Sequence, residues 1–134
     1  SVINHWRNFI FGLDLLRQRR NMGIIMLSHS VAVASEDDSD DFKTWTPSLT
    51  TRYKNATTWS VVNGFADMVL YLDYERAVKI KDGKERPDSS APARRVIYTE
   101  SRPGWTAKNR HGMPPKILLG DEPADAWKEI EPYL

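Results

Sequence analysis

Apolar residues recur at helical spacing near the start of the chain. Trp6, Phe9, Ile10, Leu13 and Leu16 fall at i, i+3, i+4, i+7 and i+10, which predicts an amphipathic helix. Arg7, Asn8, Asp14, Arg17 and Gln18 lie mostly on its other side. Arg17, Arg19 and Arg20 occupy the last turn, where cations favour the negative end of the helix dipole, and Asn21 and Gly23 end it. The period then changes. Ile24, Ile25, Met26 and Leu27 are consecutive apolar residues between Gly23 and the polar Ser28-His29. That pattern predicts a short strand over residues 23–29, buried on both faces as in a parallel sheet. A helix followed by such a strand is half of a βαβ unit, so the expected class is α/β.

Residues 30–57 break this pattern. An acidic run, Glu36 to Asp41, precedes a stretch that mixes Lys43, Trp45, Pro47, Arg52, Tyr53 and Lys54, and a long loop is expected there. Residues 57–63 predict a short helix closed by Gly64, and residues 66–72 a second strand. Asp82-Gly83 and the polar run from Lys84 to Pro92 predict a loop or hairpin tip. Residues 94–99 predict a third strand, with Val96 and Tyr98 on one face and Ile97 and Thr99 on the other. The tail predicts a short amphipathic turn around Trp127, Ile130 and Leu134.

Composition narrows the function classes. The 134 residues suit a single domain, and 40% hydrophobic content supplies a core. Lys and Arg number 19 against 18 Asp and Glu, a formal charge of +1, which excludes a purely electrostatic nucleic-acid binder but not a local basic patch. The absence of cysteine removes disulfides, thiolate metal sites and cysteine nucleophiles. No apolar run approaches the ~20 residues that span a bilayer, and no leader pattern opens the chain, so a soluble cytoplasmic protein is expected.

Candidate chemistry is sparse. Gly-x-x-x-x-Gly-Lys-Ser/Thr, Gly-x-Gly-x-x-Gly and His-Glu-x-x-His are all missing, and His5, His29 and His111 are scattered, so no metal site is expected. Ser28 and His29 end the expected buried strand, the edge where open α/β sheets bind ligands. They suit a polar sensor of a phosphate or water, or simply a strand cap. A Ser28 nucleophile lacks the Gly-x-Ser-x-Gly elbow. Lys43, Trp45, Arg52, Tyr53 and Lys54 interleave cations with aromatics, the mixture that holds single-stranded nucleic acid, though ordinary loop composition reads the same way. Lys108 and Arg110 stand at i and i+2, where an extended segment aims both cations at one phosphate, or leaves a charged strand end.

Taken in order, several elements resemble one family: Leu13-Asp14-Leu15-Leu16-Arg17; Gly23-Ile24-Ile25-Met26-Leu27-Ser28-His29-Ser30; Lys54; Trp59; Ala66-Asp67-Met68-Val69-Leu70; Arg95-Val96-Ile97-Tyr98-Thr99-Glu100; and Ala107-Lys108-Asn109-Arg110-His111-Gly112-Met113-Pro114. Together they resemble the C-terminal half of the phage RecA-like ATP-binding proteins, AAA-type recombination ATPases of tailed phages and prophages. The resemblance covers nearly all of residues 1–134. It implies part of a RecA-like P-loop NTPase sheet with flanking helices, lacking the phosphate-loop strand that the family carries farther N-terminal. It implies ATP and Mg²⁺ as cofactors of the complete protein and none for this portion alone. It also implies single-stranded DNA as partner, a ring or filament of identical subunits, a missing N-terminal half, no membrane, and a bacterial cytoplasm.

The resemblance gives Ser28 and His29 the γ-phosphate-sensing position. It makes residues 30–57 the DNA-binding loop region, with Lys43, Trp45, Arg52, Tyr53 and Lys54 as contacts. Lys108 and Arg110 match the element that reaches a neighbouring subunit's ATP. The expected function is therefore that of an ATPase portion acting in DNA recombination or replication, inactive alone. Its rivals are a non-enzymatic nucleic-acid-binding or assembly module and, remotely, a hydrolase built on Ser28 and His29.

Overall fold

A computed structural model describes residues 1–34, 43–49 and 57–134. They form two compact units, Ser1–Asp67 with Pro103–Thr106, and Met68–Arg102 with Ala107–Leu134.

In the first unit, helix α1 spans Val2–Arg20. The Ser1 hydroxyl caps it by accepting from the Asn4 N–H, and Asn21 ends it in the left-handed region at φ 52°. Asp14 accepts from the Arg17 guanidinium at 2.8 Å and from the Gln18 amide at 2.6 Å, local bonds that support the exposed face. Ile10 is buried, while Trp6 meets Phe9 edge to face with ring centroids 5.8 Å apart. Helix α2, Thr58–Phe65, packs against α1 and buries Thr58 and Val62. Thr57 and Ser60 form a reciprocal capping box at its start, each side chain accepting from the other's backbone N–H.

The strand expected over residues 23–29 is absent. These residues have no regular secondary structure, with Ile25 74% and Leu27 94% exposed. A strand exists only where a neighbour takes up its backbone groups, and no named strand among the described residues pairs with this run. An apolar sequence alone cannot supply the ladder. Residues 30–57 also differ from expectation. Strands β1, Ser30–Ala34, and β2, Lys43–Pro47, form an antiparallel pair in the register Ala32 opposite Trp45.

In the second unit, β4 (Tyr71–Glu75), β7 (Arg94–Tyr98) and β9 (Lys116–Leu118) form an antiparallel sheet in the order β4-β7-β9. The central strand β7 is buried on both sides, with Val96 and Ile97 almost fully enclosed. Ile97 packs with Met113 and Ile117, joined by Met68, Leu70, Leu119, Ile130 and Tyr133. Thr99, fully buried, donates its hydroxyl to the Pro114 carbonyl at 2.7 Å. The single strand expected over residues 66–72 is divided, because the chain changes partner at Leu70. Strand β3, Met68–Val69, pairs with β8, Lys108–Asn109, whereas β4 pairs with β7. Strands β5, Val78–Lys81, and β6, Lys84–Pro87, form a separate ribbon. Asp82 and Gly83, both at positive φ, close it in the two-residue turn that matches strand twist. Helix α3, Pro123–Ile130, and a 3-10 turn, Glu131–Tyr133, complete the unit.

The chain thus mixes helices with small sheets. Its named ladders are antiparallel, whereas the sequence pattern had suggested a parallel sheet. Among the described residues, no helix is long and apolar enough to cross a membrane.

Candidate functional site

Two pairs of sequence-selected residues fall on neighbouring positions of ordered backbone. The first is Lys108 and Arg110. The Ser101 hydroxyl accepts from the Ala107 N–H at 2.8 Å and donates to its carbonyl at 2.7 Å, fixing the chain as it enters β8. Lys108 lies opposite Val69 in the β3–β8 ladder and is half-buried, while Arg110 follows the strand and is exposed. Both interact with other groups of the chain.

Asn109 between them organises the turn. Its Nδ2 donates to the Met113 carbonyl at 2.8 Å, and its Oδ1 accepts from the His111 N–H at 2.9 Å and more weakly from Met113 at 3.4 Å. Gly112, at φ 67°, closes the bend that those bonds require. Asn109 had served only as a spacer in the sequence pattern. The signal that marks it is an Asn followed by Gly three residues on, the composition of a turn bonded by its own side chain.

The second pair is Lys43 and Trp45 on β2. Period-two alternation puts them on one face, with Thr44 and Thr46 on the other. Ala34 and Ala32, the small residues opposite them on β1, leave that face uncrowded. Lys43 is exposed and Trp45 is 43% exposed. The Trp45 N–H donates to the Gly104 carbonyl at 3.0 Å, and its carbonyl accepts from the Thr106 N–H at 2.9 Å, so residues 104–106 hold the edge of β2 away from β1. Arg52, Tyr53 and Lys54 lie outside the described residues.

Ser28 and His29 precede β1 and are exposed, rather than ending a buried strand. The Ser28 hydroxyl donates to the His29 carbonyl at 2.8 Å, and the same carbonyl accepts from the Ser48 N–H at 2.7 Å.

Three groups among the described residues titrate away from their ordinary values, each for a structural reason. Burial first, then the Asp73 charge and its hydrogen bond, raise the Tyr71 phenol above its ordinary value. Burial first, then Glu75, raise that of Tyr98, whose ring stacks on Tyr71 at 6.2 Å. Hydrogen bonds from Ser90 and then Lys79 hold Asp88 below the usual carboxylate range. No cluster of three or more His, Asp or Glu that could hold a metal occurs among the described residues, and the chain carries no phosphate-loop motif.

No curated protein and no solved structure matches the chain significantly. A family profile described as an AAA domain matches residues 2–111. The match runs from α1 through β8 and takes in both pairs of candidate residues. Because it covers well over half of the sequence, the chain belongs to the AAA domain family, an ATPase-type nucleotide-binding family.

Proposed function

We propose that this chain is the C-terminal portion of a phage RecA-like ATPase that acts on single-stranded DNA in recombination or replication. The observation that carries the reading is the ordered turn at Lys108-Asn109-Arg110 within a chain of the AAA domain family. Two cations flanking an asparagine-locked turn suit a rigid phosphate contact, since preorganised charge stabilises a phosphoryl group without reorganisation. In this reading the contact serves a neighbouring subunit, and the nucleotide cradle comes from a segment that holds the phosphate loop. ATP would bind the complete assembly there and supply the transferable phosphoryl group, with Mg²⁺ to neutralise its charge.

The exposed apolar run at residues 23–29 agrees with this division. Ile24, Ile25, Met26 and Leu27 have the composition of a central strand and lack a ladder among the described residues, as expected of a strand completed by the N-terminal half. Ser28 and His29 would then reach the γ-phosphate edge only once that sheet is complete. Lys43 and Trp45 share a face, the pairing that single-stranded DNA uses for phosphate contact and base stacking. Arg52, Tyr53 and Lys54 are the other candidate contacts and lie outside the described residues.

Binding of a 20-nucleotide single strand at rising salt tests the DNA part. Replacing Lys43, Arg52 and Lys54 together with Ala should weaken binding to all sequences and flatten the salt slope by about 2, at ~0.7 per lost phosphate contact. An unchanged slope in that variant contradicts the assignment.

A further inference from the structure

The β5–β6 ribbon has an unusual charge arrangement. Its register sets Lys79 opposite Arg86 and Lys81 opposite Lys84. Directly opposed residues project to the same side, and positions two apart share a face, so all four cations lie on one face. Val78, Ile80, Glu85 and Pro87 lie on the other. Every residue of both strands is exposed.

Like charges set directly opposite each other destabilise a strand pair. This ribbon contains two such pairs. Only Lys79 is compensated, by Asp88 at 3.0 Å, and Lys81, Lys84 and Arg86 have no ion-pair partner among the described residues. The nearby acids are otherwise placed. Asp82 sits in the turn, and Glu85 lies on the opposite face. Edge protection against aggregation needs a lysine or two and no opposed pairs. A polyanion laid on this face would relieve the repulsion the fold tolerates.

We propose that the face formed by Lys79, Lys81, Lys84 and Arg86 is a sequence-independent contact surface for the phosphate backbone of double-stranded DNA. Two features favour a duplex over a single strand. The cationic face carries no aromatic residue, whereas single-strand sites stack unpaired bases on aromatic rings. A four-residue ribbon is also about 10 Å long between its end Cα atoms at ~3.4 Å per residue, comparable with the ~12 Å width of the major groove, so its long side chains reach phosphates on either side. Contacts of this kind position a duplex and do not read its sequence. The inference rests on the ribbon alone and is independent of the role given to Lys43 and Trp45.

The test is fluorescence anisotropy of a labelled 20-base-pair duplex with the full chain, titrated with KCl. Lys81→Thr, Lys84→Thr and Arg86→Thr are combined, since threonine keeps the strand propensity and removes both like-charge pairs. Loss of three phosphate contacts should lower the salt slope by about 2.7, so that the wild-type affinity falls ~40-fold more than the variant's between 50 and 200 mM salt. A Lys128→Ala protein, changed away from the ribbon, should keep the wild-type duplex slope. Lysine acetylation footprinting of the wild-type chain gives a readout that needs no variant. Duplex DNA should protect Lys81 and Lys84 and leave Lys128 reactive. Unchanged duplex binding in the ribbon variant, an equal loss on a single strand, absent protection, or a ribbon-dependent loss on anionic phosphatidylserine vesicles alone would each overturn the proposal.

Discussion

Removing the Asn109 side chain is the most informative single perturbation of the candidate phosphate contact. Asn109→Ala deletes two short bonds, to the Met113 carbonyl and from the His111 N–H, and one long one from the Met113 N–H. A hydrogen bond contributes about 0.5–1.5 kcal/mol net, and a buried group left without a partner costs about 1–3 kcal/mol. Met113 is 4% exposed and belongs to the core around Ile97, so its backbone cannot turn freely to water. The expected loss is therefore about 2–3 kcal/mol, or roughly 8–12 °C in Tm for a chain of this size. Asn109→Asp separates the roles of the two amide atoms. It keeps the oxygen that accepts from His111 and Met113 but loses the donor, setting a carboxylate against the Met113 carbonyl. It should be at least as destabilised as Asn109→Ala near neutral pH. It should recover part of the difference in acid, where the protonated carboxyl again donates. Thermal and urea unfolding followed by circular dichroism measure both effects. If Asn109→Ala unfolds within about 0.5 kcal/mol of the wild type, the side chain does not organise the turn.

Two further predictions probe the second unit. A Cβ on Gly120 would lie 2.5 Å from the Asp125 Cβ, so Gly120→Ala should lose about 1–3 kcal/mol by overpacking. Because the clash is with Cβ itself, adding Asp125→Gly should recover part of the Tm and adding Asp125→Ala should not. The raised Tyr71 and Tyr98 titrations make their neutral forms part of the fold. Their contribution should be complete below the ordinary phenol value of about 10 and fall as pH rises through the raised values. The combined Tyr71→Phe, Tyr98→Phe variant should begin its alkaline loss of stability at higher pH than the wild type, and an unchanged alkaline profile would contradict that assignment.

The parts of the fold that were legible in the sequence are those whose signals are local. The apolar stripe and Asn21 mark α1, and the short helix expected over residues 57–63 appears as α2, which continues through Gly64 to Phe65. The Asp82-Gly83 turn marks the ribbon tip, and the alternation around Val96 and Ile97 marks β7. The expected strand at residues 23–29 failed because strand formation is decided by a neighbour, which an apolar run does not contain. The β1–β2 pair was obscured for the opposite reason. Lys43-Thr44-Trp45-Thr46 alternates as a strand should, but the adjacent acidic run and Pro47 read as loop. At the candidate site, Lys108 and Arg110 were visible through charge and spacing. Asn109 was not, because its importance lies in bonds to His111 and Met113 that appear only once the turn has formed.

The central claim is that Lys108 and Arg110 act on a nucleotide held by a neighbouring subunit. Phosphate release by the complete protein, from mixtures of two inactive variants, tests it most directly. One variant carries Arg110→Ala, and the other lacks the lysine of the phosphate loop in the N-terminal half. The Arg110→Ala protein should fall by roughly 10³–10⁵ in rate, as loss of a trans-acting arginine does, while keeping its nucleotide affinity, and the phosphate-loop variant should be inactive. Mixing should restore measurable turnover, because some interfaces then join an intact loop to an intact Arg110. Mixtures that assemble yet stay inactive would contradict the trans role and leave Lys108 and Arg110 with a structural one.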